Sequence, residues 1–364
     1  VTEVNASIDR KEFVPGSSRL PDGRNQKTIM AAAGEHGDST PLDVVLTLTS
    51  RTVASRSLQL IAELGVADLI DEQPVAAEEL AASCGVEPDA LDRLLRLLAA
   101  NGIFAHRPEG YLHTDASRLL RDDQPMSVRA LTRLYGLPVI AASLMHLDHS
   151  VRSGQPAAEI VEPNGFFAYL EAHPDEATIF DQAMTAKAAA DVAAVLRAYD
   201  FQRFSTIADI GGGRGHLIRA VLDAVPEARG VLFDLPRVID AQDLDRSRLK
   251  AQAGDFFVDP LPSADAYLLM EVIHDWPEAE AAAILRAVRR AASPGALLLI
   301  IEGIVPEECA DPRVYSLDVL MLAVSGGRER TARELGDLLH GAGFRVGRVV
   351  ETASTMRIVE AVAV

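Results

Sequence analysis

The segment Ala208-Asp209-Ile210-Gly211-Gly212-Gly213-Arg214-Gly215-His216-Leu217 constrains this chain more than any other. An apolar run delivers the backbone into a glycine-rich turn, and a helical pattern begins at once. Thr206–Ile210 reads as a buried strand and Gly215–Val225 as the helix it feeds. Glycines in such a turn permit positive φ and let a ligand approach the backbone with no side chain between. The spacing is as informative as the glycines. A dinucleotide fingerprint, GxGxxG, needs glycine where His216 stands. The chain instead spells GxGxG through Gly211, Gly213 and Gly215, with Asp209 before them. That pattern suits a ligand with a carboxylate and an amine better than a pyrophosphate, and it disfavours a nicotinamide-dependent oxidoreductase.

The next strand ends extend the pattern. Gly230–Phe233 reads as a strand followed by Asp234-Leu235-Pro236, which places Asp234 nineteen residues beyond Gly215. A carboxylate there can accept from both hydroxyls of a ribose, or it can cap the helix that follows. Gly254-Asp255-Phe256 follows the third strand, where Asp255 can accept from an adenine amino group and Phe256 can pack near the ring. The strand Ala264–Ile273 runs into His274-Asp275-Trp276-Pro277. Catalytic groups of open α/β sheets lie beyond the carboxyl ends of strands, so His274 is the candidate base. Asp275 is the expected cap of the helix Pro277–Ala291. An imidazole takes a proton well when a carboxylate holds its second nitrogen. Glu302, at the end of the buried run Ala296–Ile301, and Glu329, just before the helix Thr331–Gly341, are both placed to do so, although either can equally be a plain surface charge.

Around this core the chain divides into four stretches. Residues 1–40 read as a flexible arm. Residues 41–150 read as a helical domain of winged-helix type. Its helices are Leu42–Leu64, Ala77–Cys84 and Asp89–Asn101, and its wing spans Ile103–Thr114 around Pro-Glu-Gly. Residues 151–199 form a helical linker. Residues 200–364 form a doubly wound, Rossmann-like α/β domain with a mostly parallel sheet, closed by an antiparallel pair at Arg345–Glu351 and Thr355–Val364. A winged helix admits a regulator as an alternative, but the helix that would enter DNA carries Glu87, Asp89 and Asp92 against Arg93 and Arg96. The formal charge of −18 likewise disfavours nucleic acid and anionic membranes. Cys84 and Cys309 are the only cysteines and form no CxxC, and the carboxylates and histidines show no ligand spacing, so no metal site is expected. No apolar stretch is long enough for a membrane span and no secretory pattern opens the chain, so a cytoplasmic location is expected.

As a set, the phrases LGVADLI, LDRLLRLLAANGIF, ADIGGGRGHL, FDLP, GDFF, HDWPEAEAAAIL, IIEGIVP and GGRERTARELGDLLHGAGF resemble the plant-type small-molecule O-methyltransferases over residues 42–364. That family includes caffeate, isoflavone and hydroxyindole enzymes and bacterial relatives in antibiotic pathways. The resemblance implies S-adenosylmethionine as cofactor, an intertwined homodimer built by the N-terminal domain, and a hydroxyl of a small aromatic or polyketide-type acceptor as the methylated group. It implies His274 as the general base, framed by Glu302 and Glu329. The expected cofactor residues are Asp209, Gly211, Gly213, Gly215, Asp234, Leu235, Gly254, Asp255, Phe256 and Trp276. Met184, Asp275, Asp318 and Met321 are expected at the acceptor. A nitrogen or sulfur acceptor stays open. So does a relative that hydroxylates or decarboxylates its substrate, although such relatives usually lack the base that is present here. The Ala-, Arg- and Leu-rich composition fits the bacterial branch and a secondary-metabolite acceptor.

Overall fold

The computed structural model describes residues 40–240, 247–307 and 312–364, so the expected arm up to residue 39 and Cys309 lie outside the described residues. Helix α1 (Pro41–Leu64) is followed by α2 (Ala77–Cys84) and α3 (Pro88–Ala100). The latter two show how the sequence sets their limits. Gly85 ends α2 in the left-handed conformation (φ 68°). The Glu87 carboxylate caps α3 by accepting from the Ala90 amide at 2.6 Å, Pro88 fills the first turn, and Leu91, Leu95 and Leu98 form its buried stripe. Strands β1 (Phe104–Arg107) and β2 (Gly110–His113) make the wing, paired around Pro108 and Glu109. Gly110 has to be glycine, because a Cβ there would lie 2.2 Å from the Val75 carbonyl oxygen.

Seven helices follow: α4 (Asp115–Arg118), α5 (Arg129–Leu134), α6 (Pro138–Met145), α7 (Leu147–Ser153), α8 (Ala158–Val161), α9 (Phe166–Ala172) and the long α10 (Pro174–Ala198). The α/β part then runs β3 (Thr206–Ile210), α11 (His216–Ala224), β4 (Arg229–Asp234), α12 (Pro236–Asp240), β5 (Leu249–Ala253) and β6 (Ala266–Met270). It continues through α13 (Glu278–Ala291), β7 (Leu297–Val305), α14 (Pro312–Val324), β8 (Arg330–Thr331), α15 (Ala332–Gly341), β9 (Phe344–Glu351) and β10 (Met356–Ala363). The sheet order is β5-β4-β3-β6-β7-β10-β9, with β8 beside the end of β7. Strands β3 to β7 are parallel, whereas β10 runs antiparallel to both neighbours. Alternate strand residues serve opposite layers. Ala208, Tyr267, Leu298 and Ile300 pack with α13 and α15, while Ile207, Leu268, Leu299 and Ile301 pack with α11 and the end of α10. The order reverses between β3 and β6, and the crevice at such a switch point is where open sheets bind ligands.

The structure departs from the sequence reading at that crevice. The strand expected to reach Ile273 stops at Met270, and Glu271 turns the chain with a φ of 53°. The cause is Glu302. It does not end β7 as expected but sits within it, and its Oε1 accepts from the amides of Val272, Ile273 and His274 at 3.2, 2.6 and 3.1 Å. A buried carboxylate thus gathers three backbone donors and wraps them into a turn instead of a strand. Asp275 does not cap the next helix either. Trp276 is extended and α13 begins at Glu278 after Pro277, with no side-chain cap, which leaves Asp275 too far back to reach the first helical amides.

Candidate active site

The glycine turn after β3 has the conformation its residues imply. Gly211, Gly213 and Gly215 have φ of 68°, 57° and 72°, in the left-handed region that residues with a Cβ rarely adopt. A Cβ on Gly212 would meet the Asp209 carboxylate at 2.5 Å, whereas the space beside Gly213 is open. Asp234, at the end of β4, accepts the Gly213 amide at 2.8 Å through Oδ2 and the Leu235 amide at 2.7 Å through Oδ1. Burial raises its pKa while those two amides hold it back. Each oxygen keeps a lone pair for a further donor. Asp209 lies beneath the turn, 1% exposed, with neither carboxylate oxygen hydrogen-bonded. Burial, together with the nearby Asp234 carboxylate, pushes it up to about 7. Asp209 therefore supports the turn from inside the core and is not presented at its surface.

At the next strand end, Gly254 packs flat on Phe233, where a Cβ would come within 2.8 Å of the ring. Asp255 is half-buried and accepts the Phe257 amide at 2.8 Å. Phe256 stands edge-on to Trp276 at 5.8 Å, and Phe257 does so at 4.8 Å. Phe167 stacks on the same indole at 6.0 Å. Open space beside Gly213, a carboxylate with lone pairs free for a diol and this aromatic wall follow in strand order, an arrangement compatible with a nucleoside bearing an amino acid.

His274 is 7% exposed and is held on three sides. Its amide donates to Glu302, and its carbonyl accepts from the Arg328 amide at 2.8 Å. Its Nδ1 meets Glu329 Oε1 at 2.7 Å, which makes Nε2 the nitrogen left for chemistry; Asp275 Oδ1 lies 3.5 Å from it. Of the two carboxylates proposed from sequence, Glu329 therefore supports the ring and Glu302 supports the backbone beneath it. Burial alone would lower the imidazole's pKa, but Asp275, the hydrogen bond from the ring to Glu329 and the charge of Glu302 outweigh it and push it up to about 10. Burial likewise pushes Glu302 to about 7. Asp318 of α14 accepts the Glu329 amide at 2.9 Å, so it acts on the carboxylate that holds the His274 ring. Met184 of α10 and Met321 of α14 border one apolar cluster that includes Ala183, Leu320 and Phe166.

Four residues in this site escaped the sequence reading. Gly327 lets its loop cross His274, since a Cβ there would lie 2.0 Å from the His274 carbonyl oxygen. The buried Arg330 donates to the carbonyls of Ile273 and Trp276, each at 3.0 Å. Glu271 and Lys187 form an ion pair beside them. The available signals were faint: a Gly-Gly pair, and one charge inside the apolar run AYLLMEVI.

Comparison with known proteins identifies the class. Residues 144–345 match the O-methyltransferase domain family, and residues 46–123 match the O-methyltransferase dimerisation domain. The chain is 37% identical to a phenazine O-methyltransferase of Lysobacter antibioticus, covering 87% of this chain and 95% of that one. It is 38% identical to the O-demethylpuromycin-O-methyltransferase of Streptomyces alboniger, covering 84% of each. An 8-amino-8-demethylriboflavin N,N-dimethyltransferase of Streptomyces davaonensis is 34% identical, over 83% of this chain and 90% of its own. The crystal structure of human N-acetylserotonin methyltransferase in complex with S-adenosylmethionine superposes with a TM-score of 0.82 at 25% identity, over 90% of this chain and 99% of that one. The chain belongs to the S-adenosylmethionine-dependent O-methyltransferase family. That membership removes the regulator and oxidoreductase readings.

Proposed function

We propose that this enzyme methylates a hydroxyl on a small aromatic or polyketide-type secondary metabolite, with His274 as the general base. The observation that carries this reading is the buried His274–Glu329 pair at 2.7 Å, which fixes one ring nitrogen and leaves the other for the acceptor. S-adenosylmethionine supplies a methyl group already activated by its sulfonium. The chain's own residues have two tasks, alignment and proton removal. Asp234, Asp255 and the turn at Gly211–Gly215 hold the nucleoside, with Leu235, Gly254, Phe256 and Trp276 around it. Met184 and Met321 bracket the acceptor. Alignment of this kind lowers a barrier by as much as ~7–11 kcal/mol. For proton removal, an imidazole near 10 matches a phenol near ~10, so transfer between them is close to balanced. The carboxylates around His274 also favour a cationic sulfonium nearby.

The N-terminal helices are read as the seat of a homodimer in a cytoplasmic enzyme, with residues 41–150 for assembly and 151–199 lending the acceptor pocket. Nucleic acid is not a partner in this reading. A groove of about 430 Å³ beside the wing is lined by Glu78, Glu87, Asp89, Asp92 and Glu109, which would repel phosphates. Among the described residues no helix is long and apolar enough to cross a membrane. The deciding experiment incubates the enzyme with methyl-labelled cofactor and a panel of hydroxylated naphthoates, phenazines and aminophenols, followed by mapping of the label. Label on oxygen is expected. Label on nitrogen would favour the second reading, N-methylation, which the similarity to a riboflavin N,N-dimethyltransferase supports.

A further inference from the structure

Lys187 and Glu271 lie beside the site, but neither is assigned to the cofactor, the acceptor or the proton transfer proposed above. Lys187 is on α10, one turn beyond Met184 and on the same face. Glu271 is the residue just after β6, three before His274. Their side chains are paired, with exposures of 25% and 15%. Glu271 is also the single non-glycine residue with positive φ among the described residues. A conformation of that kind persists only where the surroundings over-determine it. Here its amide is bound to the Ile301 carbonyl at 3.0 Å and its carboxylate to Lys187.

The pair also enters the charge balance of the base. Four carboxylates act on His274: Asp275 from its own turn, Glu302 from β7, Glu329 from the loop before β8, and Glu271 just after β6. Asp318 of α14 is engaged by the Glu329 amide, and the Arg330 guanidinium faces the carbonyls of Ile273 and Trp276. Lys187 is the ammonium that α10 contributes, with Asp191 one turn further along and Tyr135 within reach of its charge. Burial disfavours that ammonium, but Glu271, Asp191 and Glu329 outweigh it and keep its pKa above the ordinary value.

We propose that Lys187 and Glu271 are a positioning pair for His274: Glu271, pinned by Lys187, holds the bend that delivers the imidazole to Glu329, and the Lys187 ammonium offsets the carboxylates that retain the ring's proton. Its catalytic meaning rests on His274 being the base. The ring can be followed without turnover, by titrating the full-length chain with nitrogen-labelled histidine and watching the His274 resonance. Lys187→Met should move the ring's midpoint up by about one pH unit, and Glu271→Gln should move it down by a similar amount, the size expected when one nearby buried charge is removed. The double variant should return near the wild-type midpoint, and Lys187→Arg should restore it. If Lys187→Met does not fold, the sign of the Glu271→Gln shift decides. Midpoints that stay in place, or single variants that shift the same way, overturn the pairing. A ring that shifts as expected while the pH profile of kcat/KM on the best phenolic acceptor does not follow would overturn His274 as base and leave the pair's hold on the ring standing.

Discussion

At the scale of single residues, the consequential feature is that the candidate base is surrounded by acids. An imidazole near 10 is protonated in the free enzyme at neutral pH, and only its neutral form can accept a proton. Raising the pH populates that form, so kcat/KM at saturating cofactor should climb between pH 7 and 9. A bound sulfonium opposes an imidazolium, so kcat should reach its plateau at lower pH than the free ring's midpoint. A flat profile in stopped assays across that range would speak against the assignment. His274→Ala should lower turnover by roughly ~10²–10⁴-fold with cofactor affinity nearly unchanged, because nothing assigned to the nucleoside touches the ring. Glu329→Gln should cost less, since the base remains and only its support at 2.7 Å is weakened. Asp234→Ala should do the reverse. It removes the acceptor of the Gly213 amide together with the expected ribose contacts, so calorimetry should show cofactor binding weaker by about ~1–3 kcal/mol.

At the scale of elements, the parts that periodicity dictates were legible and the parts set by tertiary contact were not. The strands Thr206–Ile210 and Gly230–Phe233, the helix Thr331–Gly341 with its capping box, and the glycine turn all follow from local pattern. The end of β6 does not. Whether AYLLMEVI continues as a strand depends on a carboxylate thirty residues later, Glu302, drawing three amides away from the ladder. The clamp on His274 is equally non-local, because Arg330 and Gly327 meet it only once β7 and the 325–329 loop are in place. This yields a prediction for the loop. Gly327→Ala puts a methyl 2.0 Å from the His274 carbonyl oxygen, so the loop or the turn must move. A displacement of about 1 Å at a reacting group costs as much as ~10²-fold in rate. Turnover should therefore drop at least about tenfold, whereas cofactor affinity, set at the other strand ends, should stay within a few-fold. Equal losses in both would mean that the loop supports the whole crevice.

At the scale of the whole molecule, both exposed apolar surface and buried charge have measurable consequences. Val45, Leu46, Leu48 and Val53 of α1 are 62%, 55%, 66% and 62% exposed, more apolar surface than one helix of a monomer keeps in water. Light scattering at micromolar concentration should give a dimer, and Val45→Glu with Leu48→Glu should give monomer or aggregate; a wild-type monomer would remove the assembly role. The buried charges set the pH dependence of stability. His274 rises from its ordinary 6.5 to about 10, so its contribution is full below pH 6.5 and is lost as pH rises through 10. Glu302 and Asp209, raised from 4.5 and 3.8 to about 7, act in the same sense at lower pH, their contributions fading as pH climbs to 7. Glu271, held below its ordinary value, has the opposite sign but titrates on the acid side. Between pH 7 and 9.5 the histidine therefore dominates. One proton bound in the folded chain and absent from the unfolded one gives a slope of at most about 1.4 kcal/mol per pH unit. Urea midpoints of the cofactor-free enzyme should fall steadily over that window, and His274→Gln should flatten the decline. A wild-type midpoint that rises or holds level there would mean that the imidazole is neutral in the folded chain, and that the surrounding carboxylates hold protons of their own.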